Sequence, residues 1–150
     1  MKLKISLLFL LVFGFSNAQI SRKTKTLAKP LEAFSYAESR YIGVGGEKST
    51  LYDYFIKLSE VASVDELYYL AKNGSNALKL YSSLELMKRN DKRFTEIYEY
   101  YLNYPLVIKY KDGCVGRKEK ISDHLKRELY SEGHYTVEGF FIKRESRPFH

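Results

Sequence analysis

The sequence predicts a mainly α domain: a short antiparallel stack of helices, with a small β element from the 106–110 and 135–142 segments. Three observations carry this expectation. Apolar residues recur at helical spacing through residues 50–102. Ser49, Ser63, Ser75 and Asp91 stand where each run needs an N-cap. The connections between runs are very short, which makes neighbouring helices pack antiparallel.

Bulk composition agrees. At 150 residues the chain has the length of one domain. Hydrophobic residues at 45% and charged residues at 29% exclude a disordered chain, a collagen and a coiled coil. A single cysteine excludes a disulfide framework and any Cys-rich zinc or iron–sulfur site. Two features are unusual: 14 Tyr and nine Phe without a Trp, and a formal charge of +7.

Residues 1–18 read as an export signal. Lys2 and Lys4 form a basic start, Ile5 to Phe15 an apolar run, and Ser16 and Ala18 the small-residue pair of a cleavage site before Gln19. The run is shorter than the roughly 20 residues a bilayer span needs, and nothing later resembles a transmembrane segment. The expected location is exported, periplasmic or extracellular. Residues 19–46 read as a basic arm and loop: Arg22, Lys23, Lys25 and Lys29, a short weak helix, then Gly43-Val44-Gly45-Gly46. Residues 47–142 form the expected helical domain, and 143–150 a loose tail.

Within that domain, Ser49 caps a helix with Leu51, Phe55, Leu58 and Ala62 inward. Ser63 and Glu66 make a capping box for a second, with Val64, Leu67, Leu70 and Ala71 inward and Asn73-Gly74 as its stop. Ser75 opens a third, with Ala77, Leu80, Tyr81, Leu84 and Met87 inward and Lys88 and Arg89 suiting the dipole at its end. Asp91 opens a fourth, with Phe94, Ile97, Tyr98, Tyr101 and Leu102 inward, ended by Pro105. Leu106 to Tyr110 is an extended segment before the Lys111-Asp112-Gly113 turn. Ile121, Leu125 and Leu129 mark a fifth helix over about 119–130, stopped by Gly133. Tyr135 to Ile142 is strand-like, and either lies against the helices or pairs with 106–110.

The pair 64–72 and 76–88 resembles one unit of a HEAT-like helical repeat, through Glu66-Leu67-x-x-Leu70-x-x-Asn73 followed by Leu80-Tyr81-x-x-Leu84. The stretch from Tyr41 to Cys114 is similar to a family of exported bacterial proteins with a short helical-repeat domain. Gly43-x-x-Gly46, Tyr54-Phe55, Lys57-Leu58 and Gly113-Cys114 carry that likeness. The resemblance implies a binding scaffold without catalytic residues.

Candidate chemistry is sparse. Gly43 to Thr50 imitates a phosphate-binding loop, but Glu47 stands where Gly must precede Lys-Ser/Thr, so it reads as a turn into the Ser49 cap. Cys114 has no partner and reads as a buried small hydrophobe. Asp123 and His124 point about 100° apart on a helix, and Asp123 with Arg127 makes a better i, i+4 ion pair than a chelate. No metal, cofactor or catalytic residue is expected. The basic clusters Lys88/Arg89/Lys92/Arg93, Lys109/Lys111, Arg117/Lys118/Lys120 and Lys143/Arg144/Arg147 have acids between them and fit no nucleic-acid motif.

Tyr69 and Tyr100 lie opposite their apolar stripes and should be exposed, the placement of interface anchors. Lys92 and Arg93 are the nearest cations to Tyr100. The expected function is a non-enzymatic scaffold that binds a partner protein or an anionic envelope component, without specific nucleic-acid recognition. The alternative is a small secreted basic hydrolase or nuclease-like toxin using His124 or His134.

Overall fold

The computed structural model describes residues 20–131, 134–137 and 140–143. Residues 1–18, the Gly133 stop and the tail from 144 onward lie outside them. The described elements run in the order α1 (Arg22–Glu32), β1 (Tyr36–Ile42), β2 (Glu47–Lys48), α2 (Thr50–Ser59), α3 (Val64–Asn73) and α4 (Asn76–Lys88). Then follow α5 (Arg93–Asn103), β3 (Val107–Gly113), β4 (Val115–Lys120), α6 (Ile121–Ser131), β5 (His134–Val137) and β6 (Phe140–Lys143). The described chain is mainly α with a small β element.

The sheet has the order β2–β1–β3–β4. β1 runs parallel to β3, with Tyr36 beside Lys109, Ala37 beside Tyr110 and Glu38 beside Lys111; the other pairs are antiparallel. A parallel pair needs a long crossover, and α2 to α5 supply it. The inner face of the sheet carries Ala37 and Ile108 into a core shared with all six helices.

Local chemistry places the helices where the caps lie. Ser49, Ser63 and Ser75 each accept a hydrogen bond from the backbone N–H three residues on. Glu66 completes the capping box by accepting from Ser63 N at 2.8 Å. Gly74 is required by close approach: a Cβ there would sit 2.6 Å from Leu78 Cβ and 2.7 Å from the Leu70 carbonyl. The tight α3–α4 hairpin follows from that contact.

α4 is the centre of the molecule. It packs against α1, α2, α3, α5, α6 and β1. Leu78, Leu86, Ser82 and Ser83 are buried along with the expected Ala77, Leu80, Tyr81 and Met87. A helix enclosed on nearly all sides has no single apolar stripe. Leu84, expected inward, lies on the less enclosed side and is only half-buried. The Tyr81 hydroxyl accepts from Glu38 N at 2.7 Å and donates to the Glu38 carbonyl at 2.8 Å, fastening α4 to β1. Its ring stacks on Phe55 with centroids 5.0 Å apart.

Several expectations are corrected. In place of the expected basic arm, short weak helix and loop, residues 20–46 hold α1 from Arg22, then β1, then the turn into β2. α1 buries Thr24, Ala28 and Leu31, a stripe too small and polar to stand out among lysines. Ser21 caps it through Thr24 N, and Glu66 Oε1 accepts from Ser21 N at 2.7 Å, so one carboxylate serves the start of two helices. β1 lacks alternation because Glu38 is buried as the acceptor of Ser49 Oγ at 2.7 Å. Segment 106–110 does not pair with 135–142: β3 pairs with β1 and β4, while β5 pairs with β6. Leu102 is 52% exposed, because α5 turns Phe94, Ile97 and Tyr101 inward instead.

Candidate functional site

α3 presents two aromatic faces. Tyr69 is 42% exposed and lines a groove of ≈ 670 Å³ with Ile20, Lys25, Glu32, Asn73 and Ser75. The groove exists because α1 leans across the Gly74 turn at the foot of α3 and α4. On the neighbouring face, Tyr68 and Lys72 sit at i, i+4. The Lys72 ammonium lies 5.2 Å from the Tyr68 ring centroid and 5.8 Å from that of Tyr100. Both distances suit cation–π attraction. Lys72 also pairs with Glu96 at 3.3 Å, and the Tyr68 hydroxyl donates to the same carboxylate. Tyr100 is 38% exposed and packs against Tyr101 and Tyr104.

Of the four residues singled out in the sequence, the two tyrosines are exposed as expected, but they serve different surfaces. Tyr100 belongs to the Tyr68–Lys72 cluster and Tyr69 to the α1 groove. Lys92 is exposed. Arg93 is engaged rather than free: it pairs with Asp91 at 2.9 Å and with Asp65, and its guanidinium lies 5.5 Å from the Tyr68 ring. Those carboxylates hold its pKa above the ordinary arginine value. Tyr68 and Lys72 were missed although their i, i+4 spacing is visible in the sequence.

His124 lies in a closed polar cluster between α6 and the inner face of the sheet. It is 1% exposed. Its Nδ1 is 2.8 Å from Glu119 Oε1, and Arg127 grips the same carboxylate at 2.6 and 3.0 Å. The Tyr110 ring stands edge-on at 4.3 Å. The same Nδ1 also lies 2.8 Å from Arg127 Nη2, a donor, so it faces a carboxylate and a guanidinium together, while Nε2 has no hydrogen-bond partner among the described residues. Burial lowers the His124 pKa, outweighing the pull of Glu119. Burial raises that of Glu119, but Arg127 and His124 overcome it and bring the carboxyl down to about 2. The expected Asp123–Arg127 pair is corrected: Arg127 turns to Glu119, which β4 delivers on the face towards α6. This network ties β4 to α6 around the buried imidazole. The His134 side chain lies outside the described residues.

Cys114 is exposed rather than buried, because Gly113, at φ 54°, turns the chain there from β3 into β4. Gly43 to Gly46 is the β1–β2 turn, with Gly43 and Gly46 at φ 74° and 65°, and β2 leads straight into the Ser49 cap of α2. Among the described residues no three His, Cys, Asp or Glu side chains gather as a metal site. Nor is any described helix long and apolar enough to cross a membrane. No protein family, no curated protein and no solved structure matches the chain.

Proposed function

We propose that this chain is an exported, non-enzymatic binding scaffold, periplasmic or extracellular, whose helical layer engages a partner protein or an anionic envelope component. In this reading α3 and α4 form one HEAT-like unit, and α1 completes a groove beside it. The observation that carries the proposal is that groove: Tyr69 stands exposed on its wall, with Lys25 and Glu32 for orientation. Rigid, half-exposed tyrosines supply contact area at low entropic cost. Tyr100 with Lys72 offers a second contact, and Lys92 hastens encounter more than it strengthens the complex. The enclosure of His124 favours this reading over a hydrolase, since a general base must reach the proton it abstracts.

The test is a pull-down from an envelope extract, followed by binding assays with the captured partner. Tyr69→Ala/Tyr100→Ala should abolish capture. Cys114→Ser/His124→Gln should retain it while remaining folded. Loss of binding only in the second variant would revive a thiol or histidine site.

A further inference from the structure

The sheet sorts charge between its faces. In the β3–β4 ladder, Lys109 stands directly opposite Lys118, Lys111 opposite Gly116 and Val107 opposite Lys120. Side chains alternate along a strand, so the four lysines and Val107 share the outer face. Tyr36, in register with Lys109 on β1, joins them. Ile108, Tyr110, Arg117 and Glu119 fall on the inner face, where Glu119 meets His124 and Arg127. The one acid whose register brings it beside the lysines, Glu38, is turned to Ser49 Oγ. Among the described residues none of the four lysines has a carboxylate within ion-pair distance, whereas Arg117 has Asp112 at 2.7 Å.

Like charges placed directly across a ladder are destabilising, so Lys109 and Lys118 gain from an external anion. Gly116 leaves a hollow among them, a groove of ≈ 380 Å³ reaching from Tyr36 to Lys118. Val107 is 54% exposed on the same face. A soluble polyanion would leave Val107 in water, whereas a lipid interface takes up both an aliphatic group and a tyrosine ring beside basic headgroup contacts. Lysine suits this role as a strongly hydrated point charge that needs no bidentate partner.

We propose that the outer face of the β1–β3–β4 sheet docks on an anionic phospholipid surface, with a headgroup phosphate between Lys109 and Lys118. This face is separate from the tyrosine groove and does not depend on the scaffold reading. The test is co-sedimentation of the purified protein with phosphatidylcholine vesicles, with and without phosphatidylglycerol. Binding should require phosphatidylglycerol and weaken as salt rises. Each lysine near the surface contributes about fivefold, so Lys109→Glu/Lys118→Glu should lose more than tenfold. Lys23→Glu/Lys57→Glu, the same change of charge on α1 and α2, should bind as wild type. Circular dichroism confirms folding, and Lys109→Gln/Lys118→Gln replaces the reversal if it unfolds. Equal losses in both double variants, no dependence on phosphatidylglycerol, or equally tight binding to dextran sulfate would each overturn the proposal.

Discussion

At the scale of single residues, buried ionisable groups set how this protein responds to acid. Burial pushes the Glu66 carboxyl up, but hydrogen bonds from Ser21 and Ser63 outweigh it and bring the pKa from 4.5 down to about 2. Glu119 behaves alike. A carboxylate with a depressed pKa stabilises the fold above its unfolded value, and that stability is lost as pH falls towards the folded one. His124 is also depressed, but for a base this means that the unfolded chain takes the proton first. Its loss therefore begins as pH falls through the ordinary value of 6.5. Urea midpoints measured against pH should fall in two stages, the first below about 6.5 and the second below about 4.5. His124→Gln should flatten the upper stage only; an unchanged slope there would show that the imidazole is not buried neutral. Gly74 is the other decisive residue. Gly74→Ala forces a methyl against Leu78 and the Leu70 carbonyl, and should cost roughly 1–3 kcal/mol in denaturant unfolding.

At the scale of elements, the enclosure of α4 ranks its substitutions. Leu80→Ala should cost roughly 2–5 kcal/mol, because a buried leucine leaves a cavity its neighbours do not refill. Leu84→Ala should cost clearly less, since its side chain is half-buried at the edge of the core, and Tyr69→Ala least of the three. Equal urea midpoints for the three variants would contradict the faces assigned to α3 and α4. The end of α4 also fastens α2. Arg89 donates to the carbonyls of Ser59, the last residue of α2, at 2.5 Å and of Ala62, just beyond it, at 3.1 Å, and pairs with Glu85 at 2.9 Å. Charge-assisted bonds to carbonyls at the end of a helix make Arg89→Ala worth about 1–2 kcal/mol. Thermal unfolding at matched pH would show that difference.

At the scale of the whole molecule, the pairing of β1 with β3 joins residues some 70 positions apart, so the sheet and the helical crossover must fold together. The N-terminal end of the described structure is tied into the same unit: Ile20 packs against the core and Ser21 is held by Glu66. The proposed export signal ends one residue before Gln19. Mass spectrometry of the protein recovered outside the cytoplasm should give Gln19 as its first residue, and recovery of a chain beginning at Met1 would end the export reading.

The helices α2 to α6 and the caps Ser49, Ser63 and Ser75 were legible because each depends on contacts within a few residues. A hydroxyl three residues from an amide, or a leucine one turn from the next, is written in the local spacing. The exposure of Tyr69 and Tyr100 was legible for the same reason. α1, β1 and β4 were not, because their stability comes from elsewhere: Glu66 accepts from Ser21, Tyr81 fastens Glu38, and the ladder gives polar β4 its partners. The local sequence also misled where a distant group competed, as when Glu119 drew Arg127 from Asp123 and the α4 environment enclosed Ser82 and Ser83 while leaving Leu84 at the edge. Which lysines gather on one sheet face was decided by register alone. Register joins strands through hydrogen bonds between backbones that the sequence keeps far apart.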